Sequence, residues 1–114
     1  MTKQEFIEYV YDINGIRLTD DQFYGKEKID RALYLRYLTE IPDGFNPVVS
    51  LGLYLSSLTE IPEWFNPVVG GNLWLDSLTS IPENWNPNGV RRSIYINDEV
   101  YDIKPIIKFI NFEI

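Results

Sequence analysis

The chain has no cysteine and no histidine, and basic residues are scarce: 10 Lys and Arg stand against 17 Asp and Glu, a formal charge of −7. Each shortage excludes a class of function. Zinc and iron–sulfur centres lose their usual ligands. Disulfides cannot staple the fold, and a reducing cytosol suits the chain. Nucleophilic catalysis through a Ser-His or Cys-His pair has no base to use. The basic footprint of a nucleic-acid-binding domain is absent. Long apolar runs are missing as well. Met1-Thr2-Lys3-Gln4-Glu5 is polar, and no apolar stretch of about 7–15 residues follows to make a secretory signal. Nothing approaches the ~18 consecutive apolar residues of a membrane span. The reading is a soluble cytoplasmic protein with no membrane contact.

What is present is enough for one domain with a real core: 114 residues, 45% of them hydrophobic and 15% aromatic. The organisation comes from an internal repeat with a period of 20 residues. Leu33-Tyr34-Leu35 returns as Leu53-Tyr54-Leu55 and Leu73-Trp74-Leu75. Leu38-Thr39-Glu40-Ile41-Pro42 returns as Leu58-Thr59-Glu60-Ile61-Pro62 and Leu78-Thr79-Ser80-Ile81-Pro82. Phe45-Asn46-Pro47 returns as Phe65-Asn66-Pro67 and Trp85-Asn86-Pro87. A weaker fourth copy starts at Ile94-Tyr95-Ile96 and runs through Val100 and Ile103.

In Leu-x-Leu, both leucines face one side of a strand and the middle residue faces the other. Ile-Pro fixes an extended corner. The following residues read as a helical or extended return, and Asn66-Pro67 and Gly70-Gly71 read as turns before the next strand. One unit cannot bury Leu53, Leu55, Leu58, Ile61 and Phe65 alone, but stacked neighbours can. The predicted fold is therefore an α/β solenoid, a short right-handed coil with one parallel sheet of about four rungs. Residues 1–32 form an N-terminal cap, with a helix over 2–13 followed by an irregular segment in which Ile16-Arg17-Leu18 makes a degenerate rung. Phe6, Tyr9, Val10 and Ile13 form the apolar stripe of that helix, and Asn14-Gly15 ends it. The repeats occupy 33–52, 53–72, 73–93 and 94–103. Residues 104–114 form a C-terminal cap with a last strand, and the whole is one domain.

The Leu-Thr-x-Ile units, followed by Phe45 and Phe65 in the first two copies and by Trp85 in the third, resemble leucine-rich repeats, most closely the bacterial BspA-like class, in which Leu-Thr-x-Ile is followed by a Phe. Leu58-Thr59-Glu60-Ile61 and Leu78-Thr79-Ser80-Ile81 carry that resemblance best, over roughly residues 29–103. The 20-residue unit is shorter than is usual for the class, and its Cys and the Asn ladder of ordinary leucine-rich repeats are missing. Near-identical tandem units of this type are similar to short repeat proteins of bacteria, phages and mobile elements. The resemblance implies protein–protein interaction, in the cytoplasm of a bacterium or of a phage-infected host.

Two features mark working faces. The middle residues of the strands, Tyr34, Tyr54, Trp74 and Tyr95, should stand in a row about 4.8 Å apart, beside Arg36 and Asp76. Tyr and Trp suit binding hot spots, and the same row can equally serve as a cross-strand ladder that stabilises the sheet. Trp64 stands where the other units have Gly44 and Asn84, and serves either core closure or partner contact. Charge is also uneven. Residues 33–89 hold one basic residue, Arg36, against Glu40, Asp43, Glu60, Glu63, Asp76 and Glu83. Stacking turns Glu40 with Glu60, and Asp43 with Glu63 and Glu83, into two acidic columns. These read either as a solvated face or as a docking face for a basic partner. Asp20-Asp21 and the Asp98, Glu99, Asp102 group lack the spacing of a metal site or a glycosidase pair. The sequence therefore predicts no catalytic residue, metal or cofactor. It predicts a non-enzymatic protein-binding module, monomeric or weakly dimeric, whose partner has a basic surface. The alternative is a phage or mobile-element inhibitor of a host defence nuclease, of the anti-CRISPR kind, that blocks a nucleic-acid-binding site with its acidic surface.

Overall fold

The structure is a computed structural model and describes residues 1–97 and 99–102. It opens with helix α1, Lys3–Asn14. The Thr2 hydroxyl accepts from the Glu5 N–H at 3.1 Å, and the Glu5 carboxylate accepts from the Thr2 N–H at 2.7 Å. This reciprocal pair satisfies donors that a helix start leaves unpaired. The helix stops where Gly15 adopts a left-handed φ of 75°, a conformation glycine takes without penalty. Helix α2, Asp20–Phe23, is a single turn with the same reciprocal cap between Thr19 and Gln22. Lys3 Nζ and Asp20 Oδ1, 2.7 Å apart, tie the two helix starts together.

Eight short strands follow: β1 Lys28–Ile29, β2 Leu33–Tyr34, β3 Val48–Val49, β4 Leu53–Tyr54, β5 Val68–Val69, β6 Leu73–Leu75, β7 Ser93–Ile96 and β8 Glu99–Asp102. They fall into two separate sheets, β1-β3-β5 and β2-β4-β6-β7-β8. Every pairing is parallel except the last, in which β8 runs antiparallel to β7. This corrects the predicted architecture. The described residues form a small mixed α/β fold with two sheets and two helices, not a single continuous coil with one four-rung sheet, and leucine-rich repeat and solenoid do not describe it.

The causes are local. The first two repeats each contribute two strands rather than one, because Pro47-Val48-Val49 and Pro67-Val68-Val69 build, with β1, a sheet of their own. Ile29 pairs with Val49, and Val49 with Val69. Val90 joins them through an isolated parallel bridge to Val69. The return after Ile-Pro is not helical. The Phe45, Phe65 and Trp85 N–H groups donate to the carbonyls of Pro42, Pro62 and Pro82 at 3.0–3.1 Å, which makes three equivalent tight turns. At the far end Asn97 takes a positive φ of 49° and reverses the chain, so β8 folds back onto β7. The expected continuation of the fourth unit through Val100 is that returning strand. The predicted C-terminal cap, 104–114, lies outside the described residues.

Within the larger sheet the repeat sets the register. Leu33 faces Leu53, Leu53 faces Leu73, and Leu73 faces Ile94. Leu33, Leu35, Leu53, Leu55, Leu73 and Leu75 are fully buried. After each strand a tight turn returns a further leucine to the core. Leu38, Leu58 and Leu78 donate their N–H groups to the carbonyls of Leu35, Leu55 and Leu75. Each buried leucine contributes about 1.5–3 kcal/mol relative to exposure. Phe6, Phe23 and Phe45 meet with ring centroids 4.6–5.8 Å apart and fasten both helices to the first repeat.

The buried face of α1 differs from the predicted stripe. Phe6, Ile7, Val10 and Asn14 are buried, Tyr9 is half-buried and Ile13 is exposed. The buried asparagine explains the shift. Asn14 Oδ1 accepts from the Tyr34 N–H at 2.8 Å, and Asn14 Nδ2 donates to the Tyr34 carbonyl at 2.9 Å. One side-chain amide thus supplies the donor and acceptor that a further parallel strand would present to the open edge of β2. Ile16-Arg17-Leu18, expected as a degenerate rung, forms no strand.

Candidate functional site

The two candidate surfaces are built by different parts of the repeat. The first lies on the larger sheet. Parallel pairing places Tyr34 beside Tyr54, Tyr54 beside Trp74, and Trp74 beside Tyr95. The rings stack along this row with centroid separations of 4.6, 5.7 and 3.9 Å and interplanar angles of 13°, 8° and 3°. Tyr34, at one end, is 37% exposed, and Tyr54, Trp74 and Tyr95 are half-buried. Stacking buries ring faces against one another, so the row presents mainly ring edges. The arrangement holds each ring in one orientation, and aromatic pairs of this kind are worth about 0.5–1.5 kcal/mol beyond their area. Trp74 Nε1 is buried and finds no hydrogen-bond partner among the described residues.

The small residues beside the row make room for it. A Cβ at Gly52 would lie 3.0 Å from the Tyr54 ring. Asn72, at the equivalent place in the next unit, accepts from the Ser93 N–H at 3.1 Å through its side-chain oxygen. Arg36 and Asp76 flank the row and are exposed. The Arg36 carbonyl accepts from the Ser57 hydroxyl, and the Asp76 carboxylate accepts from the Ser56 hydroxyl at 3.4 Å.

The second surface lies at the Leu-Thr-Glu-Ile-Pro segments, and its lining includes no residue of the row. Thr39, Glu40, Ile41 and Asp43 of one unit and Thr59, Glu60, Ile61, Pro62 and Trp64 of the next line a groove of about 370 Å³. Trp64, expected to serve either core closure or partner contact, sits here, 43% exposed and edge-on to Phe65 at 6.3 Å. Of the acidic columns, Glu40, Asp43 and Glu60 line this groove. Glu63 and Glu83 are exposed outside its lining. A second cavity of about 210 Å³ shares Thr39 and Glu40 with the first and adds Met1, Tyr9, Tyr37 and Leu38. Tyr9 is ordered by the Tyr37 N–H, which donates to its hydroxyl at 3.1 Å. Burial pushes the Tyr9 phenol above its ordinary pKa of 10.0, so it is neutral at physiological pH.

Sequence reasoning missed Tyr9, Tyr37 and Met1. Tyr37 and Tyr9 are 28 residues apart, and no periodic signal links them. Among the described residues, no group of carboxylates is placed to hold a metal ion, and no helix is long and apolar enough to cross a membrane. No protein-family model, no curated protein and no solved structure matches the chain.

Proposed function

We propose that the protein is a non-enzymatic binding module that engages another protein through the aromatic face of its five-stranded sheet. The observation that supports this reading is the unbroken stack of Tyr34, Tyr54, Trp74 and Tyr95 on adjacent strands. Binding normally costs about 0.5–1.5 kcal/mol for each rotamer-rich side chain that must be ordered. Rings already held by their neighbours avoid most of that cost, and each still offers a large amphipathic edge. Aromatic anchors of this type carry most of the affinity in protein interfaces, and flanking charges such as Arg36 and Asp76 act more on encounter rate.

The test uses crosslinked partners from a host lysate, with each partner then purified and its affinity measured. Tyr54→Ala combined with Trp74→Ala should weaken binding by about 2 kcal/mol or more, chiefly through the off-rate. Tyr34→Ala, at the most exposed ring, provides a second variant with less risk to folding. Affinity should change little with salt. Both variants folded by circular dichroism and binding like wild type would overturn the proposal.

A further inference from the structure

The two cavities that meet at Thr39 and Glu40 share a chemistry independent of the sheet face. Their combined lining holds three carboxylates, Glu40, Asp43 and Glu60, and no lysine or arginine. Each cavity has an exposed aromatic in its lining, Tyr37 at 67% and Trp64 at 43% exposure. Thr39 and Thr59 supply hydroxyls, and Ile41, Ile61 and Pro62 give an apolar floor. We propose that this groove is a docking site for an extended basic segment of a partner protein, with arginine or lysine side chains set between the carboxylates and against Trp64 or Tyr37.

Three arguments select that occupant. A nucleic acid would bring phosphates to three carboxylates and be repelled. A divalent cation needs converging oxygens at about 2.0–2.6 Å, and no such group exists among the described residues. A guanidinium or ammonium on a long apolar stem needs no such convergence. Its stem covers apolar floor while its head remains wet, and its charge is attracted to the face of an indole or phenol ring. The carboxylates come from two successive repeats, which suits several cations along one chain better than a single small ion.

Fluorescence anisotropy with a labelled octaarginine peptide as the probe tests this, with octaglutamate as the opposite-charge control. Because the protein carries a net charge of −7, groove binding must be separated from general attraction. Glu40→Gln with Glu60→Gln removes two charges inside the groove. Asp12→Asn with Glu27→Gln removes two exposed charges outside it. The groove pair should weaken octaarginine binding at least about fivefold, and the outside pair less than about twofold. Trp64→Ala, which leaves charge unchanged, should weaken it at least about twofold. In a parallel titration followed by NMR, the Trp64 indole resonance should move before that of Trp74. Equal losses from the two charge pairs, an unaffected Trp64→Ala variant, or a first response at Trp74 would overturn the proposal. The sheet-face reading does not depend on the result, because no groove variant touches the row.

Discussion

Replacing Asn14 tests whether a single amide closes the edge of the larger sheet. The residue is 7% exposed, and its side chain makes two hydrogen bonds to the Tyr34 backbone, at 2.8 and 2.9 Å. It also donates to the Val10 carbonyl at 3.2 Å. Asn14→Leu has nearly the same shape and keeps water away from Tyr34, but offers neither donor nor acceptor. The Tyr34 N–H and carbonyl belong to the backbone, so their polarity remains. Two lost bonds at about 0.5–1.5 kcal/mol each, with their partners left partly shielded, give a penalty of roughly 2–4 kcal/mol. Leucine's better helix propensity returns about 0.5 kcal/mol. The net expectation is a loss of about 2–3 kcal/mol in urea unfolding followed by circular dichroism. The Tyr34 amide should lose hydrogen-exchange protection along with it. Asn14→Asp keeps the acceptor and loses the donor. It should recover part of its deficit as the pH falls below about 5, where a protonated acid can donate to the Tyr34 carbonyl. An Asn14→Leu variant within about 0.5 kcal/mol of wild type, with Tyr34 protection unchanged, would refute the reasoning.

Two further outcomes follow from local geometry. A Cβ at Gly70 would lie 2.2 Å from the Ser50 carbonyl oxygen, so Gly70→Ala must push β5 and the Ser50 loop apart. It should cost about 1–3 kcal/mol by thermal unfolding, and an unchanged Tm would count against the close approach of those two turns. Thr2 hydrogen bonds hold the Glu5 carboxyl below its ordinary pKa of 4.5. Because the folded-state value is the lower one, the stabilisation is full above that ordinary value and fades as pH falls through the folded value. Acid unfolding of wild type should include this loss. Glu5→Gln should remove that pH dependence, and matching acid profiles would show that the cap does not contribute it.

Residues that repeat with a hydrophobic periodicity were legible in the sequence. Leu33, Leu53 and Leu73 pair in the register their spacing indicates, and the stacked row of Tyr34, Tyr54, Trp74 and Tyr95 follows from the same spacing. The smaller sheet was hidden because two-residue strands carry no alternation long enough to read. Its signal is the repeated Asn-Pro-Val-Val at 46–49 and 66–69, in which Asn-Pro reads as a turn. In the third unit Asn88-Gly89 breaks that signal, and only Val90 still bridges to Val69. The buried face of α1 departs from its apolar stripe for a different reason. Pattern reading sends a polar residue outward, yet Asn14 is turned inward to satisfy backbone groups 20 residues away. The groove was half visible, since Glu40 and Glu60 share a repeat position. Tyr37 and Tyr9 join it only through the packing of α1 on the first unit.

Near-identical units raise a problem of bookkeeping for a folding chain. Leu33-Tyr34 meets Leu53-Tyr54 in the native register, but Leu73-Trp74 offers almost the same surface, and pairing there would loop out a whole unit. Such traps are characteristic of repetitive sequences. The polar contacts that differ from unit to unit distinguish right from wrong neighbours. Ser56 reaches Asp76, Asn66 Nδ2 donates to the Asn88 side chain where the other units have a valine, and Trp85 Nε1 donates to the Phe65 carbonyl at 2.5 Å. Asn14 recognises one strand end, at Tyr34, and the Asn97 turn permits reversal at one place. The irregular residues therefore act as addresses, and a sequence idealised to perfect repetition would lose them and fold to a mixture of registers.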